Sequence, residues 1–130
     1  MESLLLSVTP LYAIFLAAML IFLTIKVIRV RQSEKVMFMD GGIDDLTRAI
    51  RAHGNFIEYV PLSLILIALA ELNGAAPVAL HGLGAFLVIG RLLHLYSIDQ
   101  QSIRFRVYGM TCTFATLLFS AIVLGLTLIR

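Results

Sequence analysis

One cysteine, three prolines and a charged fraction of 14% are all that this 130-residue chain carries of those classes. The single thiol, Cys112, excludes an intrachain disulfide, and its place inside an apolar stretch fits packing. No Cys/His cluster has metal-ligand spacing, no glycine-rich phosphate loop occurs, and no Ser/His/Asp arrangement can be argued for. Basic runs interleaved with aromatics are also missing, so the net charge of +2 does not describe a nucleic-acid surface. What fills the chain instead is 60% hydrophobic residues, with a mean hydropathy of +0.98. A soluble domain of this length could not hide that much apolar surface in one core. The composition is that of a membrane protein, and the length suits one domain spanning 1–130.

Four apolar stretches, 4–25, 56–72, 76–98 and 107–129, are each close to the roughly 20 residues a helix needs to cross about 30 Å of hydrocarbon. With their polar ends included, the spans are expected at about 4–28, 46–72, 76–98 and 105–129. Alternating ten-residue segments are absent, which favours helices over a barrel. The first stretch lacks a basic leader and is longer than a signal-peptide core, so it reads as a true span. The fold class is therefore an all-α membrane protein, an antiparallel four-transmembrane-helix bundle.

Basic residues orient it. Lys26, Arg29, Arg31, Lys35, Arg48 and Arg51 surround the link between spans one and two, and Arg91, Arg104 and Arg106 surround the link between spans three and four. The 71–77 link, "ELNGAAP", has none. Because positive loops stay in the cytoplasm, the 26–51 and 99–106 links should be cytoplasmic and both termini should face away. In the first link, Gly41-Gly42 supplies a turn, Asp44 and Asp45 fit an N-cap and first-turn acid, and "VMFM" is expected to dip into the membrane interface.

Polarity then enters hydrocarbon at "RAHGNFIEYVP", residues 51–61. At about 100° per residue, Arg48, Arg51, Asn55, Glu58 and Tyr59 share one arc of about 100°, while His53 falls on the opposite side. Pro61 removes a backbone donor one turn below Glu58 and is expected to kink the helix. An ionisable residue inside a span faces a partner or a water-filled cavity. Glu58 could pair with an arginine of another helix in a closed structural network. The full stripe could equally hold an anionic, zwitterionic ligand, with guanidinium groups for carboxylates and Glu58 for an ammonium. On the third span, Arg91 and His94 share a face; His94 alone would be an ordinary interior histidine. Arg104 and Arg106 open the fourth span on the same side, and alone would be ordinary topology signals. Convergence of three helices at one depth is what points to a site.

These residues resemble the MAPEG family, the membrane-associated proteins in eicosanoid and glutathione metabolism. Its second-helix pattern Arg-Ala-x-x-Asn-x-x-Glu followed by Pro is matched by Arg51, Ala52, Asn55, Glu58 and Pro61, and "GRLLH" at 90–94 is similar to its third-helix motif. The resemblance covers essentially the whole chain and has the look of the short bacterial branch. It implies a homotrimer in a bacterial inner membrane, with glutathione as co-substrate between subunits near the cytoplasmic face. It also implies a lipophilic acceptor drawn from the membrane lipids, and no metal. Arg51, Asn55, Glu58 and Tyr59 would contact glutathione, with His94 in place of a third-helix contact and Arg29 or Arg31 matching a first-helix base. Arg48 and Arg91 complete the expected binding set. Arg104 and Arg106 compete to stabilise the thiolate. The tyrosine that family enzymes often carry seven residues after the third-helix arginine is Ile98 here, and Tyr108 is no close copy of a fourth-helix tyrosine. The expected activity is glutathione transfer or peroxide reduction; the alternative is a non-catalytic lipid-binding or scaffold bundle with a structural Arg/Glu network.

Overall fold

The computed structural model describes residues 5–129; the expected first residue of span one, Leu4, and the C-terminal Arg130 lie outside the described residues. Four helices follow one another: α1 (Thr9–Glu34), α2 (Asp44–Leu72), α3 (Pro77–Asp99) and α4 (Ile103–Leu128). All four are long and apolar enough to cross a membrane. The short links make sequential neighbours antiparallel, so the α1–α2 and α3–α4 links share one end of the bundle.

Helix α1 begins later than hydropathy alone suggests, at Thr9, with Pro10 in the first turn, where a missing N–H costs nothing. Its free amides are satisfied from another helix. Both oxygens of Glu71, at the end of α2, accept from the backbone N–H groups of Ser7, Val8 and Thr9 at 2.6–2.8 Å and from the Thr9 hydroxyl at 2.6 Å. A carboxylate at a helix N-terminus is favoured by the dipole as well as by the bonds. Helix α2 starts at Asp44 with Ile43 in the cap position, so Asp44 and Asp45 both occupy the first turn and neither caps by its side chain. Asp40 does that local work instead: its carboxylate accepts from the Gly42 N–H at 3.0 Å and the Thr47 hydroxyl at 3.1 Å. Gly41 and Gly42 both have positive φ, as the expected turn requires. Pro61 lies within α2, which continues as one helix to Leu72.

The centre of the bundle is filled by Leu16, Met19 and Leu23 of α1, Phe56, Val60 and Ile67 of α2, and Leu80, Leu83 and Leu87 of α3. Lipid chains are as apolar as leucine, so close packing must hold these helices together. The α3–α4 seam is the most extensive contact in the bundle. A Cβ added at Gly109 would stand 2.7 Å from the His94 nitrogen and 2.8 Å from the Gly90 carbonyl oxygen, so the two backbones nearly touch there. Below that point α4 presents buried Thr113, Thr116 and Ser120. Thr113 and Thr116 return their hydroxyl protons to carbonyls of their own helix, Gly109 and Cys112, at 2.8 and 2.9 Å.

Candidate functional site

Four residues of one α2 face, Arg48, Arg51, Asn55 and Glu58, line a cleft of about 710 Å³ at the end of the bundle that carries the two basic links. Successive spacings of three and four residues put them on one side of the helix. Thr47 and Gly54 continue this wall. The facing wall comes from the end of α3 and the start of α4: His94, Ser97 and Ile98, then Gln101 and Ser102 of the link, then Ile103 and Arg106. The α3 terminus is fixed by the Ser102 N–H donating to the Ser97 carbonyl at 2.9 Å and by Gln101 in the left-handed region. An ion pair from Lys26 to Asp99 ties that terminus to α1.

The cleft is cationic on both walls and holds one carboxylate. Arg48 is paired with Asp45 one turn earlier. Arg51 and Glu58 are both exposed, and neither has an ion-pair partner among the described residues. The closed Glu58–arginine network that the sequence left open is therefore absent within this chain's described residues.

Arg91 follows a different course. Only 2% exposed, it lies inside the bundle and does not line the cleft. One guanidinium nitrogen donates to Asn55 Oδ1 at 2.6 Å, and the other donates to the Thr113 hydroxyl and stands 3.9 Å from Met110 Sδ. Its Nε has no hydrogen-bond partner among the described residues. The buried cation is thus held by neutral acceptors of α2 and α4, and it turns the Asn55 carboxamide so that Nδ2 points along Met110 Sδ at 3.5 Å.

Arg48, Arg51, Asn55, Glu58, His94 and Arg106 are brought together; the other expected residues are not. Tyr59 packs edge-on against Phe114 with ring centroids 5.4 Å apart, away from the cleft lining. Arg29 is exposed outside the lining, and Arg31 donates to the Met39 carbonyl at 2.7 Å, bracing the α1–α2 loop. Arg104 is exposed and lies outside the lining of the cleft, to which Arg106 contributes. Ser97, Gln101 and Ser102 were not anticipated. Ser97 follows His94 by three residues and was legible as its neighbour on one face, whereas Gln101 and Ser102 depend on how the link turns.

The helix that carries Arg51, Asn55 and Glu58 lies within the part of the chain that sequence comparison matches. The profile of the MAPEG family matches residues 9–126. The chain belongs to the MAPEG family. Among relatives, Inner membrane protein YecN of Escherichia coli (strain K12) is 39% identical over 111 residues, covering 85% of each chain. The protein of the same name from Escherichia coli O6:H1 matches with the same figures. The family match begins with α1 and ends within the last turn of α4.

Proposed function

We propose that this MAPEG protein resides in a bacterial inner membrane, binds glutathione in the α2–α4 cleft and transfers it to a lipophilic electrophile or uses it to reduce a hydroperoxide. The observation that carries the reading is a pair of charges with no ion-pair partner among the described residues, Arg51 and Glu58, on one face of a cleft of about 710 Å³. That volume lies in the range of about 300–1,000 Å³ usual for small-molecule sites. Glutathione has two carboxylates, one ammonium and two amides. Arg51 and Arg48 suit the carboxylates bidentately, Glu58 suits the ammonium, and the Asn55 amide, pre-turned by Arg91, suits a peptide group. Arg106 on the opposite wall is the better candidate to stabilise the thiolate, because Arg104 lies outside the lining.

Chemically, the thiol proton leaves to water and the thiolate attacks the electrophilic carbon. A C–S bond forms as the leaving group departs or the acceptor takes a proton. With a hydroperoxide, the sulfur attacks the terminal oxygen, the O–O bond breaks to release the alcohol and leave the sulfenic acid of glutathione, and a second glutathione thiol converts that to the disulfide with loss of water. The family resemblance supports a homotrimer with the cleft completed by a neighbour, both termini away from the cytoplasm, and entry of the acceptor from the lipid. The Arg91–Asn55–Thr113 network favours a second reading, a non-catalytic lipid-binding bundle in which polar residues serve packing alone.

Ultraviolet absorbance of the bound thiolate and conjugation of a model electrophile separate the two. Arg106→Ala is expected to abolish the thiolate band and Arg104→Ala to retain it. Absence of both signals in wild-type protein with saturating glutathione overturns the enzymatic reading.

A further inference from the structure

Three consecutive large apolar side chains stand at the tip of the α1–α2 loop, outside the cleft. Met37, Phe38 and Met39 are 79%, 79% and 81% exposed. Such a run in water is a liability unless something covers it. The backbone beneath is built to display it. Arg31 reaches out of α1 to donate to the Met39 carbonyl at 2.7 Å, with the Val36 and Met37 carbonyls at 3.5 Å. Met39 itself adopts a left-handed φ of 60°. Asp40 then closes the loop through Gly42 and Thr47.

Depth identifies the cover. The Glu71 bonds to Ser7, Val8 and Thr9 set the far ends of α1 and α2 level with one another. With that level taken as the far edge of the hydrocarbon, about 30 Å at about 1.5 Å per residue reaches Arg29 on α1 and Arg51 on α2. Glu34, where α1 ends, then lies roughly 7–8 Å beyond the hydrocarbon, at the outer part of a polar layer about 5–8 Å thick per leaflet. The loop after Glu34 therefore starts within reach of that layer, and side chains turned toward the bilayer would enter it. Along α1, exposed Phe22, Ile25 and Ile28 form an apolar track leading up to the loop.

We propose that Met37, Phe38 and Met39 form a lipid-contact anchor, lying in the headgroup layer and reaching the acyl boundary of the leaflet on the side of the two basic links. The loop fastens the α1–α2 end of the bundle, and with it the Arg48 and Arg51 wall of the cleft, at a fixed height in the bilayer. This anchor is independent of what the cleft binds.

The chain has no tryptophan, so Phe38→Trp supplies a single emitter at a position exposed enough to accept it. The full-length variant is reconstituted in phosphatidylcholine–phosphatidylglycerol bilayers with and without brominated acyl chains. The expected result is blue-shifted emission, loss of intensity in brominated lipid, and little quenching by aqueous iodide. Red emission quenched by iodide overturns the proposal in favour of a loop standing in water. Blue emission indifferent to brominated lipid overturns it in favour of burial against protein, a second copy included. Met37→Trp is the companion reporter, with the same outcomes, should Phe38→Trp fail to assemble.

Discussion

Two glutamates of one helix, Glu58 and Glu71, meet opposite fates. Glu71 has both oxygens engaged by the backbone start of α1 and by the Thr9 hydroxyl. Glu58, thirteen residues earlier on the same helix (71 − 58), has no ion-pair partner among the described residues and faces an open cleft beside Arg51. A carboxylate with its acceptor sites filled ties helices together. One left unfilled about two turns inside the span, beside a guanidinium with no ion pair among the described residues, is placed for something that comes and goes. The same contrast divides the arginines: Arg91 is enclosed and bonded through both terminal nitrogens, whereas Arg51 is exposed and has no ion pair among the described residues.

Breaking the structural half should cost stability. Glu71→Ala removes several charge-assisted bonds, but they share one partly exposed carboxylate and the freed α1 amides can turn to water, so unfolding free energy in detergent should fall by about 3 kcal/mol, the upper end of the net value for a single bond to a charged group. Thermal unfolding checks this, and an unchanged midpoint would remove Glu71 from the structural class. Arg91→Met keeps much of the volume but strands the Asn55 and Thr113 oxygens, for an expected loss of about 2 kcal/mol. Because it also frees the Asn55 carboxamide, glutathione affinity should drop alongside.

The ligand half should respond in reverse. Glu58→Gln should weaken glutathione about tenfold, or about 1.4 kcal/mol, with the unfolding midpoint unmoved. Loss of stability without loss of binding would instead place Glu58 with Glu71. The smallest effect belongs to Asp40, whose carboxyl is held below its ordinary value of 3.8 by the Gly42 amide and the Thr47 hydroxyl. A depressed folded value means the contribution is fully present above 3.8 and disappears as pH falls through the lower folded value. Asp40→Asn should therefore loosen the loop slightly at neutral pH and leave little further change on acidification, as hydrogen exchange of the Gly42 amide would report.

Hydropathy made the four helices legible because each span is long and nearly free of charge. The start of α1 was less so: apolar residues continue to Leu4, while Glu71, distant in sequence, anchors the backbone at Ser7–Thr9. The α2 stripe could be read because helical spacing alone puts Arg48, Arg51, Asn55 and Glu58 on one face. Tyr59 sits at the margin of the same arc, and Phe114 of α4 draws its ring away. No single-helix geometry could tell that Arg91 turns inward, because its acceptors belong to α2 and α4. Arg104 and Arg106 were equivalent as letters. They separate only once α4 starts at Ile103 and sets which side of its first turn faces the cleft.

Equilibrium binding of glutathione to purified wild-type protein and to Glu58→Gln, followed by calorimetry together with each protein's melting temperature, is the most direct test. Saturable binding by wild type, weakened about tenfold in the variant at an unchanged melting temperature, is the predicted result. A wild-type protein that shows no saturable binding would contradict the assignment of the cleft.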